Sequence, residues 1–129
     1  MGENYKGGFE DLDVWNNARN YRTAIYSIIK TFPQEEKYKL ADQLIRSSRS
    51  ITANIAEGYG RYYYQENIQS CRMARGSLTE TLDHLICAND LKYIDSNKLS
   101  ELRKQFEIIL RQLNGYIAYL KRRKDEDVM

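Results

Sequence analysis

The sequence predicts an all-α protein: an antiparallel up-down-up-down four-helix bundle that assembles into a symmetric homo-oligomer. Three observations lead there. One proline and seven glycines in 129 residues are too few breakers for a turn-rich β fold, and the many Leu, Ile, Lys, Glu and Arg favour helix. Apolar residues recur at steps of three and four through four successive segments. Short stretches with proline, glycine or Asn-Asp separate those segments, as they do in a bundle with short corners.

The elements follow in order. Residues 1–8 read as a flexible tail, the bundle domain as 9–123 and residues 124–129 as a flexible charged tail. In the first helix Val14, Ala18, Tyr21, Ile25, Ile28 and Phe32 form a seam, and Thr31-Phe32-Pro33 ends it, because the residue before proline resists helical angles. The second helix is expected to begin with Glu35 and Glu36 in its first turn. It continues through Leu40, Leu44, Ser47/Ser48, Ile51 and Ile55 to Gly58. Gly58 and Gly60 are expected to supply the positive φ of a tight reversal. A third helix runs from about Tyr64 to Asn89, with Ile68, Cys71, Ala74, Leu78, Leu82 and Leu85 inward. Asp95 or Ser96 caps the fourth, whose seam is Leu99, Leu102, Phe106, Ile109, Leu113, Tyr116 and Leu120. Trp15, Ile29, Ile86, Leu110 and Ile117 flank the seams. They point to subunit contacts, or else to a broad core stripe.

One face of the second helix carries Arg46, Ser50, Asn54, Glu57 and Arg61 at steps of 4, 4, 3 and 4, beside small neighbours. The third helix offers Ser77, Glu80 and His84, with Gly76 allowing close packing. A buried polar network is expected between the two helices, with members Arg46, Asn54, Glu57, Gly58, Ser77 and Glu80. On that reading Glu57→Ala costs more than about 1 kcal/mol. Tyr59, Tyr62, Tyr63 and Tyr64 crown the corner around Arg61. They form either a stacking surface for nucleic acid or the closed end of the bundle.

Several chemistries have little material. His84 is the only histidine, no CxxC pair exists, and Gly-Tyr-Gly is too weak a match for a phosphate-cradling loop. No enzymatic activity, metal or cofactor is expected; acid–base work by Glu57 and Glu80 would need an open cleft. Cys71 and Cys87 lie about 24 Å apart along one helix, too far to pair. No run of 18 apolar residues suggests a membrane span. The start MGENYKGGFEDLD lacks the apolar core of a signal peptide, so a cytoplasmic protein is expected.

A net charge of +2 makes any nucleic-acid site a matter of local clustering. Arg19 and Arg22 share a line with Trp15 and Tyr26. Lys104 and Arg111 lie a heptad apart, and Lys121-Arg122-Arg123-Lys124 is the sharpest cluster. Such groups, with Arg61, contact phosphates without reading sequence. In a monomer they are weak; repeated by symmetry they gain avidity. The expected function is therefore non-enzymatic binding of RNA or DNA through repeated basic patches. The alternative is an adaptor that presents Trp15, Tyr26 and their neighbours to a protein partner.

The residues also carry a family pattern: Phe9-x-x-Leu12-x-Val14-Trp15-x-x-Ala18, then Phe32-Pro33-x-x-Glu36-x-Tyr38-x-Leu40. Gln43-Leu44-x-Arg46-x-x-x-Ser50-Ile51-x-x-Asn54-Ile55-Ala56-Glu57-Gly58 and Gly60-Arg61 follow, and finally Ala74-Arg75-Gly76-Ser77-Leu78-x-Glu80. From Phe9 to Lys121 the chain resembles the proteins named for intervening sequences of 23S ribosomal RNA genes. It is also similar to the accessory variability determinant proteins of diversity-generating retroelements. The resemblance implies a homopentameric ring of antiparallel bundles. For the retroelement relatives it implies a basic surface that binds nucleic acid and a reverse transcriptase. Three positions depart from the pattern: Ile45 replaces a basic residue, Tyr63 a helix-capping Ser or Thr, and Asn67 a common Phe.

Overall fold

The computed structural model describes residues 7–127; the rest of the two expected tails, residues 1–6 and 128–129, lies outside the described residues. Four helices carry the fold: α1 (Asp13–Ile29), α2 (Leu40–Tyr59), α3 (Tyr64–Asp90) and α4 (Ser96–Asp127). A short 3-10 turn, Phe9–Asp11, precedes α1, and another, Gln34–Glu36, precedes α2. Each helix packs on its two neighbours in the order α1, α2, α3, α4 and back to α1, with α2 most extensively on α3.

The seams are buried as their spacing predicts. Val14, Ala18, Tyr21, Ile25 and Ile28 of α1 meet Leu44, Ile51 and Ile55 of α2, Ile68, Cys71, Ala74, Leu78 and Leu85 of α3, and Leu102, Ile109 and Leu113 of α4 in one core. The surplus apolar residues are largely absorbed by this same core. Ile117 is buried, and Trp15, Ile29 and Leu110 pack partly buried against it, so the stripe is broad rather than spare.

Three local differences have physical causes. First, α2 starts at Leu40 rather than after Pro33. The chain turns through Gln34–Glu36, and Lys39 at φ −122°, ψ −104° breaks continuity. Glu36 still caps the helix, accepting from the Leu40 N–H at 3.3 Å. Its other oxygen accepts from the Tyr93 hydroxyl at 2.8 Å, which pushes the Tyr93 phenol up to about 12. Second, no glycine among the described residues has positive φ; Lys92, at φ 66°, does. Lys92 follows α3 in a Schellman ending, with Lys92 N–H on the Asn89 carbonyl and Tyr93 N–H on that of Ala88. Third, the charged stretch expected as a tail after residue 123 is helical as far as Asp127. At the other end of α4, Asp95 is the cap, accepting from the Lys98 N–H at 2.8 Å.

One core group stands out. Tyr21 is fully buried and its hydroxyl has no hydrogen-bond partner; burial drives its pKa well above the ordinary tyrosine value, against a lowering by Arg103. An unpartnered buried hydroxyl carries a desolvation cost. Tyr21→Phe is therefore expected to raise stability by about 1 kcal/mol, read from urea unfolding; a loss of that size would mean the hydroxyl is satisfied in solution.

Candidate nucleic-acid interface

Between α2 and α3 the polar face is a column of short side chains. Thr81, fully buried, donates to Ser47 at 2.8 Å and lies equally close to the Ser77 carbonyl. Ser77 donates to Ser50 at 2.8 Å, and Asn54 donates to Ser50 Oγ at 3.0 Å. Gly58 ends the column. A Cβ there would sit 2.6 Å from Asn67 Oδ1 and 2.8 Å from Ser70 Cβ, so glycine is required by helix approach rather than by positive φ. Asn67 is buried. It donates to the Tyr116 hydroxyl at 3.2 Å and accepts from the Cys71 thiol at 3.6 Å. Burial pushes that thiol up to about 11.

The charged members expected in this network lie outside it. Glu57 pairs with Arg61 at 2.9 Å on the surface, at side-chain exposures of 56% and 49%. Arg46 pairs with Asp42, and Glu80, 58% exposed, with His84. Gly76 is exposed, with open space where a Cβ would go. A surface pair one turn apart contributes about 0.3–0.5 kcal/mol, so the large Glu57→Ala loss expected from burial does not follow from this geometry.

The corner tyrosines and the basic run, far apart in sequence, meet at one end of the molecule. Lys124 donates to Gln65 across α3 and α4 at 2.6 Å. Arg123 lies over the Tyr64 ring at 5.6 Å and the Tyr119 ring at 6.0 Å, and it donates to the Tyr119 hydroxyl at 3.0 Å. That hydrogen bond raises the Arg123 pKa further; a 3.6 Å contact pairs the guanidinium with Glu126. Tyr62 and Tyr63 stand clear of the core, 89% and 63% exposed, with ring centroids 4.8 Å apart and planes perpendicular. Tyr63 is also the N-cap of α3 and makes no side-chain hydrogen bond to the first turn.

Two hollows open at this end. One, about 620 Å³, is lined by Tyr62, Tyr63, Tyr64, Gln65, Lys124 and Asp127. The other, about 210 Å³, is lined by Gln65, Ile68, Arg72, Lys121, Lys124 and Asp125. Arg72, seven residues after Gln65, reaches the hollow from the same face of α3.

The remaining basic residues lie elsewhere. Lys104 and Arg111 are exposed on α4, about 30 Å and 20 Å along the helix from Lys124. Arg122 is exposed as well. On α1, Arg19 lies over the Trp15 ring at 5.6 Å. Arg22 turns inward and donates to Thr52 at 2.8 Å. Arg22 also edges a groove of about 450 Å³ between α1 and α2, lined by Phe9, Trp15, Tyr26, Arg49, Ala53 and Ala56 among others.

The model of the family described as 23S rRNA-intervening sequence protein matches residues 10–115. That range spans the polar column and the tyrosine corner and stops before the Lys121–Lys124 run. A solved structure, a protein of unknown function from the S23 ribosomal protein family of Bacteroides thetaiotaomicron VPI-5482, is 23% identical with a TM-score of 0.74. The match covers 81% of this chain and 97% of that one, and at that identity it shows the fold alone. No curated protein matches the chain. No helix among the described residues is long and apolar enough to cross a membrane. With most of its length matched by the family model on a four-helix all-α fold, the chain belongs to the 23S rRNA-intervening sequence protein family.

Proposed function

We propose that this protein is a non-enzymatic, cytoplasmic, oligomeric bundle that binds RNA or DNA through repeated basic patches. The observation that carries the reading is the convergence of Arg72, Lys121 and Lys124 on one small hollow beside two exposed tyrosines. Cations held together repel one another, and an anion such as a phosphate relieves that repulsion. The up-down-up-down topology belongs to the same proposal. It is supported by paired numbers that run in opposite directions: Arg22 with Thr52 and Tyr26 with Arg49, and Ser50 with Ser77 and Ser47 with Thr81. A homopentamer, implied by the family resemblance, would repeat the patch around a ring.

The test is fluorescence anisotropy of nuclease-treated protein with labelled RNA and DNA between about 50 and 200 mM salt. The logarithm of affinity is expected to fall linearly with the logarithm of salt concentration, by about 0.7–0.9 per phosphate contact. The variant Lys121→Glu/Lys124→Glu is expected to bind more weakly and with a shallower slope. Salt-independent binding, or an unchanged slope in the variant, would overturn the mechanism. The second reading, an adaptor that docks a polymerase or reverse transcriptase, is favoured by the aromatic groove between α1 and α2. Partner capture that survives nuclease treatment and is lost in Trp15→Ala would support it.

A further inference from the structure

We infer that the α3–α4 end of the bundle binds unpaired nucleotides of a single strand, with a base against Tyr62 and Tyr63 and its phosphate among Arg72, Lys121 and Lys124. This rests on the nucleic-acid reading and narrows it to a substrate class.

The tyrosines decide between strands. Closing the end of the bundle is the task of Tyr64, which packs on the core beneath Arg123. Tyr62 and Tyr63 do no such packing, yet they hold two large rings in water at right angles to each other. Apolar ring surface left in water has a cost that a stacked partner removes. A base offers that partner only when its face is free, and in a duplex both faces are covered by neighbouring pairs. Single strands and splayed loops present free faces, which is why aromatic platforms recognise them.

The hollows supply the dimensions and the charge. The tyrosine-lined hollow, about 620 Å³, falls within the range of small-molecule sites, about 300–1,000 Å³. The smaller hollow gathers three cations against one carboxylate, Asp125. Gln65 and Lys124 line both, and the 2.6 Å hydrogen bond between them marks their shared border. A nucleotide spans such a border, ring on one side and phosphate on the other. Asp127, on the ring side, repels phosphate and can accept a hydrogen bond from a base amino group. The polarity of the site thus follows from Asp127 on the ring side and from three cations outnumbering Asp125 on the phosphate side.

The experiment compares a labelled mixed-sequence oligoribonucleotide, the oligodeoxynucleotide of the same sequence, and the duplex of each at near-physiological salt. At least one single strand is expected to bind about 10-fold more tightly than its duplex. In Tyr62→Ala/Tyr63→Ala that preference is expected to vanish, with single-strand affinity down about 10-fold and duplex affinity within about 2-fold. Tyr62→Phe/Tyr63→Phe keeps the rings and is expected to keep the preference. Equal or tighter binding of duplex, or equal weakening of both forms in the alanine variant, overturns this inference and leaves the basic-patch reading standing. Failure of every probe to bind overturns both.

Discussion

Replacing Gly58 with alanine is expected to destabilise the protein by about 1–3 kcal/mol, although helix propensity alone favours alanine by about 1 kcal/mol. The new methyl would lie 2.8 Å from Ser70 Cβ and 3.2 Å from the Asn67 backbone carbonyl oxygen, as well as 2.6 Å from Asn67 Oδ1. Two of these atoms are backbone or bonded directly to it, so a side-chain rotation cannot clear the space and α3 must move. Asn67 is further held by Tyr116 and Cys71, so displacing it disturbs the α3–α4 contact too. Gly76→Ala is the internal control: the same substitution in a long helix, with nothing within 4 Å. It is expected to gain about 1 kcal/mol. Urea unfolding of both variants reads the contrast, and a stabilised Gly58→Ala would mean that α2 and α3 stand farther apart than described.

The second large effect is expected at Thr81. Valine has nearly the same shape, so Thr81→Val opens no cavity and removes only the hydroxyl. That leaves Ser47 Oγ, in a residue 3% exposed, without its 2.8 Å partner. The expected loss is about 1–3 kcal/mol. Ser47→Ala/Thr81→Val removes both polar ends and is expected to recover most of it. A double-mutant cycle separates this from simple loss of packing; additive single losses would show that the two hydroxyls are not coupled.

These two positions show what could be read from the chain. Helical spacing located the seams because burial of an apolar stripe depends only on angular position. Angle does not give depth, however. Arg46, Glu57 and Arg61 share a face with Ser50 and Asn54, but their long side chains reach past the helix contact to pair in water. The buried members are short. Thr81 lies three residues after Leu78 and four before Leu85, so spacing places it on the buried face, where a short polar side chain is easily taken for surface. Both halves of the candidate site were legible, the tyrosines at one corner and the Lys121–Lys124 run at the end. Their adjacency was not, because it depends on Gln65 meeting Lys124 across a separation of 59 residues. At Gly58 the residue type suggests a turn former, whereas the helix continues through it to Tyr59.

The pairing of α2 with α3 also sets an order in time. Residues 60–63 join them, against 30–39 between α1 and α2 and 91–95 between α3 and α4, so the most extensive helix contact closes over the shortest connection. Short closures lose least chain entropy and form earliest. The α2–α3 hairpin is expected to be the nucleus on which α1 and α4 later condense. Stopped-flow kinetics would then show Thr81→Val slowing refolding, while Leu113→Ala, on the late-docking α4, mainly accelerates unfolding.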